Sequence, residues 1–240
     1  MIRRIPKPIK TTITVLLSLV IVIGIAYMIF SHTPTYFRLR YPTIDDCISD
    51  YPTITAKVPS DFVSRTKYGI TIKAPADCVN PKDSNIAPFK SDYLSILVMS
   101  ESESAIYDGT DDFFSQAEYE HFFHSIGEEM PETWYDDIVF LRNNLTSETC
   151  RGLHWTDFRI YKLMAKSKDM VAKVETPYFY HGDNFEGLIC VLNNKNVNVI
   201  INDPEHHQHA TIMISCEDEK LKHQILAGID VSKFMAGDVG

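Results

Sequence analysis

The run from Thr11 to Phe30 holds twenty residues without a charge, and it constrains this chain more than any other feature. At about 1.5 Å of rise per residue, a helix over this run reaches roughly 30 Å, the thickness of a bilayer's hydrocarbon core. Twelve of its residues are Leu, Ile, Val or Phe. At about −0.3 to −0.6 kcal/mol each, they favour insertion by roughly 4–7 kcal/mol. Thr11, Thr12, Thr14 and Ser18 can return their hydroxyls to the helix backbone, so they cost little. The run is expected to be a transmembrane helix over residues 11–30.

Flanking charge sets its direction. Arg3, Arg4, Lys7 and Lys10 precede the run with no acid among them, whereas Arg38 and Arg40 beyond it are soon followed by Asp45 and Asp46. The positive-inside bias makes residues 1–10 a cytoplasmic tail and carries the rest across the membrane, as a single-pass protein. Gly24-Ile25-Ala26 also fits the cleavage site of a signal peptide. Apolar residues continue through Tyr27, Met28, Ile29 and Phe30, longer than a usual signal core, so the retained anchor is the reading adopted.

The tail's four basic residues leave 19 of the 23 Lys and Arg to face all 32 acids, a net charge of −13 for the outer part. That balance argues against nucleic acid and against clinging to anionic lipid, both of which need basic patches. It suits solubility or a basic partner. Residues 31–240 can bury about 70% of their unfolded surface, enough for one domain with a real core. The five cysteines, Cys47, Cys78, Cys150, Cys190 and Cys216, are too sparse for a disulfide scaffold and match no zinc-finger spacing. One or two bridges would be allowed in an oxidising compartment.

Along the chain, Pro34, Pro42 and Pro52 mark 31–54 as a tether, in which Tyr41-Pro42-Thr43-Ile44 recurs as Tyr51-Pro52-Thr53-Ile54. The domain, 55–240, opens with a strand from Tyr68 to Ala74, and a second runs from Tyr93 to Met99. A helix follows over 111–126, with Ser115 and Glu118 offering a capping-box start and Gly127 a stop. Tyr119, Phe122, Phe123 and Ile126 form its buried stripe. Trp134–Leu141 fits either helix or strand. From Cys150 the pattern reads as a five-strand meander over 150–156, 158–166, 170–180, 185–192 and 196–202. Ser167-Lys168-Asp169 and Gly182-Asp183-Asn184 supply turns. Pro177 makes the third strand an edge or a bulge. A strand at 210–216 and a short helix at 218–229 close the chain. The class is α+β: an antiparallel meander sheet with one or two packed helices.

This order, with the Gly-bearing strand ending in Ala-Pro (Tyr68 to Pro75), the aromatic helix, the meander and Phe234 after the closing helix, resembles the α/β sandwich of the PsbP-like group. Similar sandwiches occur among membrane-tethered periplasmic immunity proteins, which neutralise secreted toxins. The resemblance spans about residues 55–236 and implies a binding role in a bacterial periplasm, anchored in the inner membrane. No functional residue carries over from it.

Short catalytic signatures are absent. None of the ten glycines forms a G-x-S-x-G elbow, a phosphate-binding loop or a dinucleotide fingerprint, and no H-E-x-x-H or C-x-x-C occurs. The densest constellation is Glu205-His206-His207-Gln208-His209. Turns of a meander alternate ends, so His181 and Asp183 should approach His206, His207 and His209, with Asp203 and Glu205 beside them. Zn²⁺ would need three or four such ligands at about 2.0–2.2 Å; a solvated polar loop is the plainer account. His121 and His124 fall off the apolar stripe of their helix and suit pairing with local acids. Tyr178 and Tyr180 should share one face of a strand and Phe179 the other, with an exposed ring available to anchor a protein partner. The expected role is a non-enzymatic, membrane-anchored binding domain, with an immunity protein facing a toxin as its sharpest form. An accessory subunit of an envelope complex and a metal-binding or metal-dependent hydrolytic domain centred on 203–209 are the alternatives.

Overall fold

The computed structural model describes residues 7–80, 87–100, 115–182, 185–192, 195–203 and 208–236. The apolar run forms α1 (Lys7–Phe30), of which Thr12–Phe30 is long and apolar enough to cross a membrane, with none of its residues buried.

The 31–54 segment, expected as a loose tether, is folded. Thr33 caps α2 (Pro34–Arg40) by accepting from the Tyr36 amide, and Pro34 occupies the first turn, where a missing N–H costs nothing. Phe37 and Ile44 are fully buried, and Ser49–Asp50 forms strand β1. The repeated tetrapeptides separate: Tyr41 and Ile44 enter a helical core, Tyr51 and Ile54 pack against the sheet core.

A hairpin follows, β2 (Val63–Lys67) and β3 (Ile70–Ala74). Tyr68 and Gly69, expected inside a strand, are its two-residue turn, with φ of 47° and 73°. Gly69 is required twice over, because a Cβ there would lie 2.7 Å from the Phe234 amide nitrogen.

The main sheet adds β4 (Phe89–Lys90), β5 (Leu94–Ser100), β6 (Thr176–His181), β7 (Glu186–Val191), β8 (Asn196–Asp203) and β9 (Gln208–Cys216). Its order is β1-β6-β7-β8-β9-β5-β4. Strands β6 to β9 make the expected antiparallel meander, but β1 pairs with β6 in parallel, so the sheet is mixed. One face buries rows such as Ile189, Val199, Ile212 and Val98 beneath β3 and α6 (Glu219–Ala227), with Ile72, Ile225, Leu226 and Phe234 closing the core. On the other face Leu188, Cys190 and Ile200 meet Ile48 and the partly buried Tyr135 and Ile138.

Helices are more numerous than the one or two expected: six among the described residues, α1 included. Ser115 and Glu118 make the capping box that starts α3 (Gln116–Ile126), and Gly127 in the left-handed region ends it. Residues 111–114 lie outside the described residues. Phe122 and Phe123 of its stripe are fully buried, and Tyr119 and Ile126 partly so. The ambiguous 134–141 stretch is α4 (Trp134–Val139) running into a π turn over Phe140–Asn144.

The largest departure is α5 (Phe158–Ala172), which occupies the place of the expected 158–166 strand, the Ser167-Lys168-Asp169 turn and the start of the 170–180 strand. The expected 150–156 strand is the end of a 3₁₀ turn (Ser147–Cys150) and a loop. The buried positions of α5, Phe158, Ile160, Tyr161, Met164, Ala165, Lys168 and Asp169, have helical spacing. Lys168 and Asp169 are polar occupants of that inner face, so the apolar pattern breaks off early. Lys168 Nζ donates to the Arg142 and Leu145 carbonyls, both at 2.8 Å, and so satisfies backbone acceptors in and just after the π turn. With α2, α3 and the π turn, α5 builds the helical core around Phe37, Phe122, Phe123, Phe140 and Tyr161. All five cysteines are free thiols, and Cys47 alone is exposed.

Candidate functional site

Strand β6, Thr-Pro-Tyr-Phe-Tyr-His, lies at the outer side of the meander. Pro177 offers no N–H, and β1 pairs only alongside Tyr178 and Phe179. The Tyr51 amide donates to the Phe179 carbonyl at 2.6 Å, after which the chain leaves the sheet. Among the described residues no strand flanks the outer side of Tyr180 and His181. There a cavity of about 260 Å³ opens, lined by Asp50, Tyr51, Thr53, Ile54, Phe179, Tyr180, His181 and Gly182.

Aromatic rings build its wall. Tyr51 meets Tyr178 edge to face at 5.5 Å and Tyr180 at 6.3 Å between centroids, and Tyr180 packs on Phe185 at 4.5 Å. The Tyr51 hydroxyl lies 3.4 Å from His223 Nε2 on α6. Burial, and then the negative charge of Glu219, push the Tyr51 phenol above its ordinary range. A Cβ on Gly182 would collide with the Tyr180 ring, so glycine is what allows that ring to fold over the turn. At the mouth, His181 Nδ1 faces Glu186 Oε1 at 3.9 Å, both side chains largely exposed. Such a recess can take an apolar or aromatic side chain, with the Asp50 carboxylate on its wall for a cation.

Tyr178, Phe179 and Tyr180 are each half-buried, with the two tyrosines on the α6 side and Phe179 on the opposite face beside Tyr135. None is the fully exposed anchor that the sequence suggested; Phe179, Tyr180 and His181 line the recess instead. Asp50, Tyr51 and His223 were missed, and the repeat Tyr51–Ile54 was the one sequence signal near them.

Of the proposed metal ligands, His206 and His207, with Asp183 and Glu205, lie outside the described residues. The strand ends at His181 and Asp203 do share one end of the sheet, yet His181 and His209 do not meet. His181 pairs with Glu186, Gly187 with Ile201 and Asn202 with His209, which sets His181 three strands from His209. At about 4.8 Å per strand the separation is roughly 14 Å, beyond the reach of one ion. His209 is also buried, whereas His181 is exposed. Among the described residues no group of three or more His, Cys, Asp or Glu could hold a metal. His121 pairs with the buried Asp157 at 2.9 Å.

Compared with protein-family models, curated proteins and solved structures, the chain finds no match.

Proposed function

We propose that this chain is a non-enzymatic binding domain, held by α1 in a bacterial inner membrane with its tail cytoplasmic and its folded part periplasmic, which acts by occupying a protein partner. The observation that carries the reading is the aromatic recess at the end of β6, where no described strand flanks the sheet. It combines a strand edge with no described neighbouring strand, ring surface and the Asp50 carboxylate, the materials of a recognition site for an extended segment with a basic or aromatic side chain. The net charge of −13 beyond the tail favours such a partner by speeding encounter. An immunity role against a toxin is the sharpest form. It leans on the PsbP-like resemblance, whose element order counted strands where α5 lies.

The test is photo-crosslinking in living cells, with a photoreactive residue at Thr53 in the recess or at Leu39 on α2. A discrete protein adduct from Thr53, absent from Leu39 and lost when Tyr180→Asp is added, is the expected outcome. Replacing His206, His207 and His209 with Ala should leave the adduct and the cellular function intact. Loss of function in that triple variant, together with a stoichiometric metal in the parent protein, overturns the binding reading in favour of a metalloprotein.

A further inference from the structure

Trp155, one of two tryptophans in the chain, is 64% exposed, an unusual position for so large a ring. Its ring is not loose. It stacks on the His32 imidazole at 4.4 Å and 14°, and Phe158 meets the same imidazole edge to face at 4.3 Å. His32 follows Phe30, the last residue of α1, by two positions.

The junction is closely bonded. The Ser31 amide donates to Tyr27 O at 2.8 Å, the Thr33 amide donates to Phe30 O at 3.0 Å, and His32 Nδ1 lies 2.6 Å from Met28 O. Cys150 Sγ reaches the His32 carbonyl at 3.7 Å, and Phe30 packs edge to face on Tyr36 at 5.8 Å. Where α1 leaves the hydrocarbon, the loop 151–156 is therefore held beside it.

Charge fits the same place. In a chain of net charge −9, residues 151–166 carry Arg151, Arg159, Lys162 and Lys166 against Asp157 alone. Asp157 is buried and paired with His121, Arg151 leans on Glu148 and Arg159 lies near Glu118, which leaves Lys162 and Lys166 as the local excess. A tryptophan flanked by arginines at a membrane-helix end has the composition of an interfacial belt, where the ring lies among headgroups and the cations face lipid phosphates.

We propose that the 151–156 loop is a second membrane contact, with the Trp155 indole seated in the headgroup layer beside the exit of α1. The folded part then lies against the bilayer at one orientation. This rests on the anchor reading above and adds a surface that anchoring alone does not require.

The experiment uses the full-length chain carrying Trp134→Phe, in vesicles of phosphatidylcholine and phosphatidylglycerol with or without bromines on the upper acyl chain. Flotation after an alkaline wash reports the anchor. In floated protein, Trp155 should lose most of its emission to the brominated lipid and be shielded from aqueous iodide. If Trp134→Phe fails to fold, the emission difference between the unaltered chain and Trp155→Phe gives the same readout. Floated protein whose Trp155 is quenched by iodide and untouched by bromine overturns the second contact and leaves the anchor standing. A chain that does not float overturns both.

Discussion

Lys168 shows how much one side chain can hold in this fold. It is 1% exposed, and burial pushes its ammonium down to about 8. Because the folded-state value lies below the unfolded one, the cost of burying the charge is full below about pH 8. It is relieved as pH rises towards the unfolded value near 10.4. Lys168→Met removes the donor to two carbonyls and is expected to cost about 1–3 kcal/mol at pH 7. The wild-type advantage over this variant should grow between pH 8 and 10, read by urea unfolding in detergent. A constant difference would mean that the lysine is not buried as charge. Gly69→Ala is expected to cost about 1–2 kcal/mol for its left-handed backbone, plus the displacement of the turn at Lys233 and Phe234. Thiol labelling at pH 8 should find Cys47 alone quickly. Burial raises Cys150 to about 11 and Cys190 to about 12, and Cys78 and Cys216 are enclosed. Prompt labelling of a second thiol in folded protein would contradict the packing.

Among the elements, α3 binds the helical core through Phe122, which touches Phe123 at 5.5 Å and has no exposed surface. Phe122→Ala should lose about 3–5 kcal/mol, whereas a loss within about 0.5 kcal/mol would place the ring at the surface. This helix was legible because its apolar stripe, its capping box and its terminal glycine agree. Strands β7, β8 and β9 were legible because their apolar residues are many and β-branched. Helix α5 was hidden because Lys168 and Asp169 fill inner positions where an apolar residue would have continued the period. Helix α2 was hidden because Pro34 reads as a breaker until its place in the first turn is known. Strand β2 alternates weakly, since its residues are mostly exposed, and β1 is only two residues long. The recess was half visible: Tyr178-Phe179-Tyr180 stands out as a ring cluster, but Asp50 and Tyr51 join it only through a parallel pairing between distant parts of the chain, which no local pattern encodes.

At the scale of the whole molecule, topology is the first matter for experiment. A reporter active only outside the cytoplasm, fused after Gly240, should be active, with the full-length chain in the membrane fraction. A released form starting near Tyr27 would replace the anchor by a cleaved signal peptide.

The sheet's two borders carry a different consequence. One is β1 beside β6 and the other β4 beside β5, each end strand two residues long. The rest of β6 and of β5, Leu97 to Ser100, therefore has no described strand on that side, and Pro177 interrupts the donor row of β6. Long bare borders are templates along which sheets zip into fibres. Copies held in one membrane by α1, as proposed, would meet far more often than copies in free solution, so short border strands would matter most there. The gap that the described strands leave beside Tyr180 and His181 is too short to seed a fibril, and on the proposed reading it is where a few residues of another chain would pair.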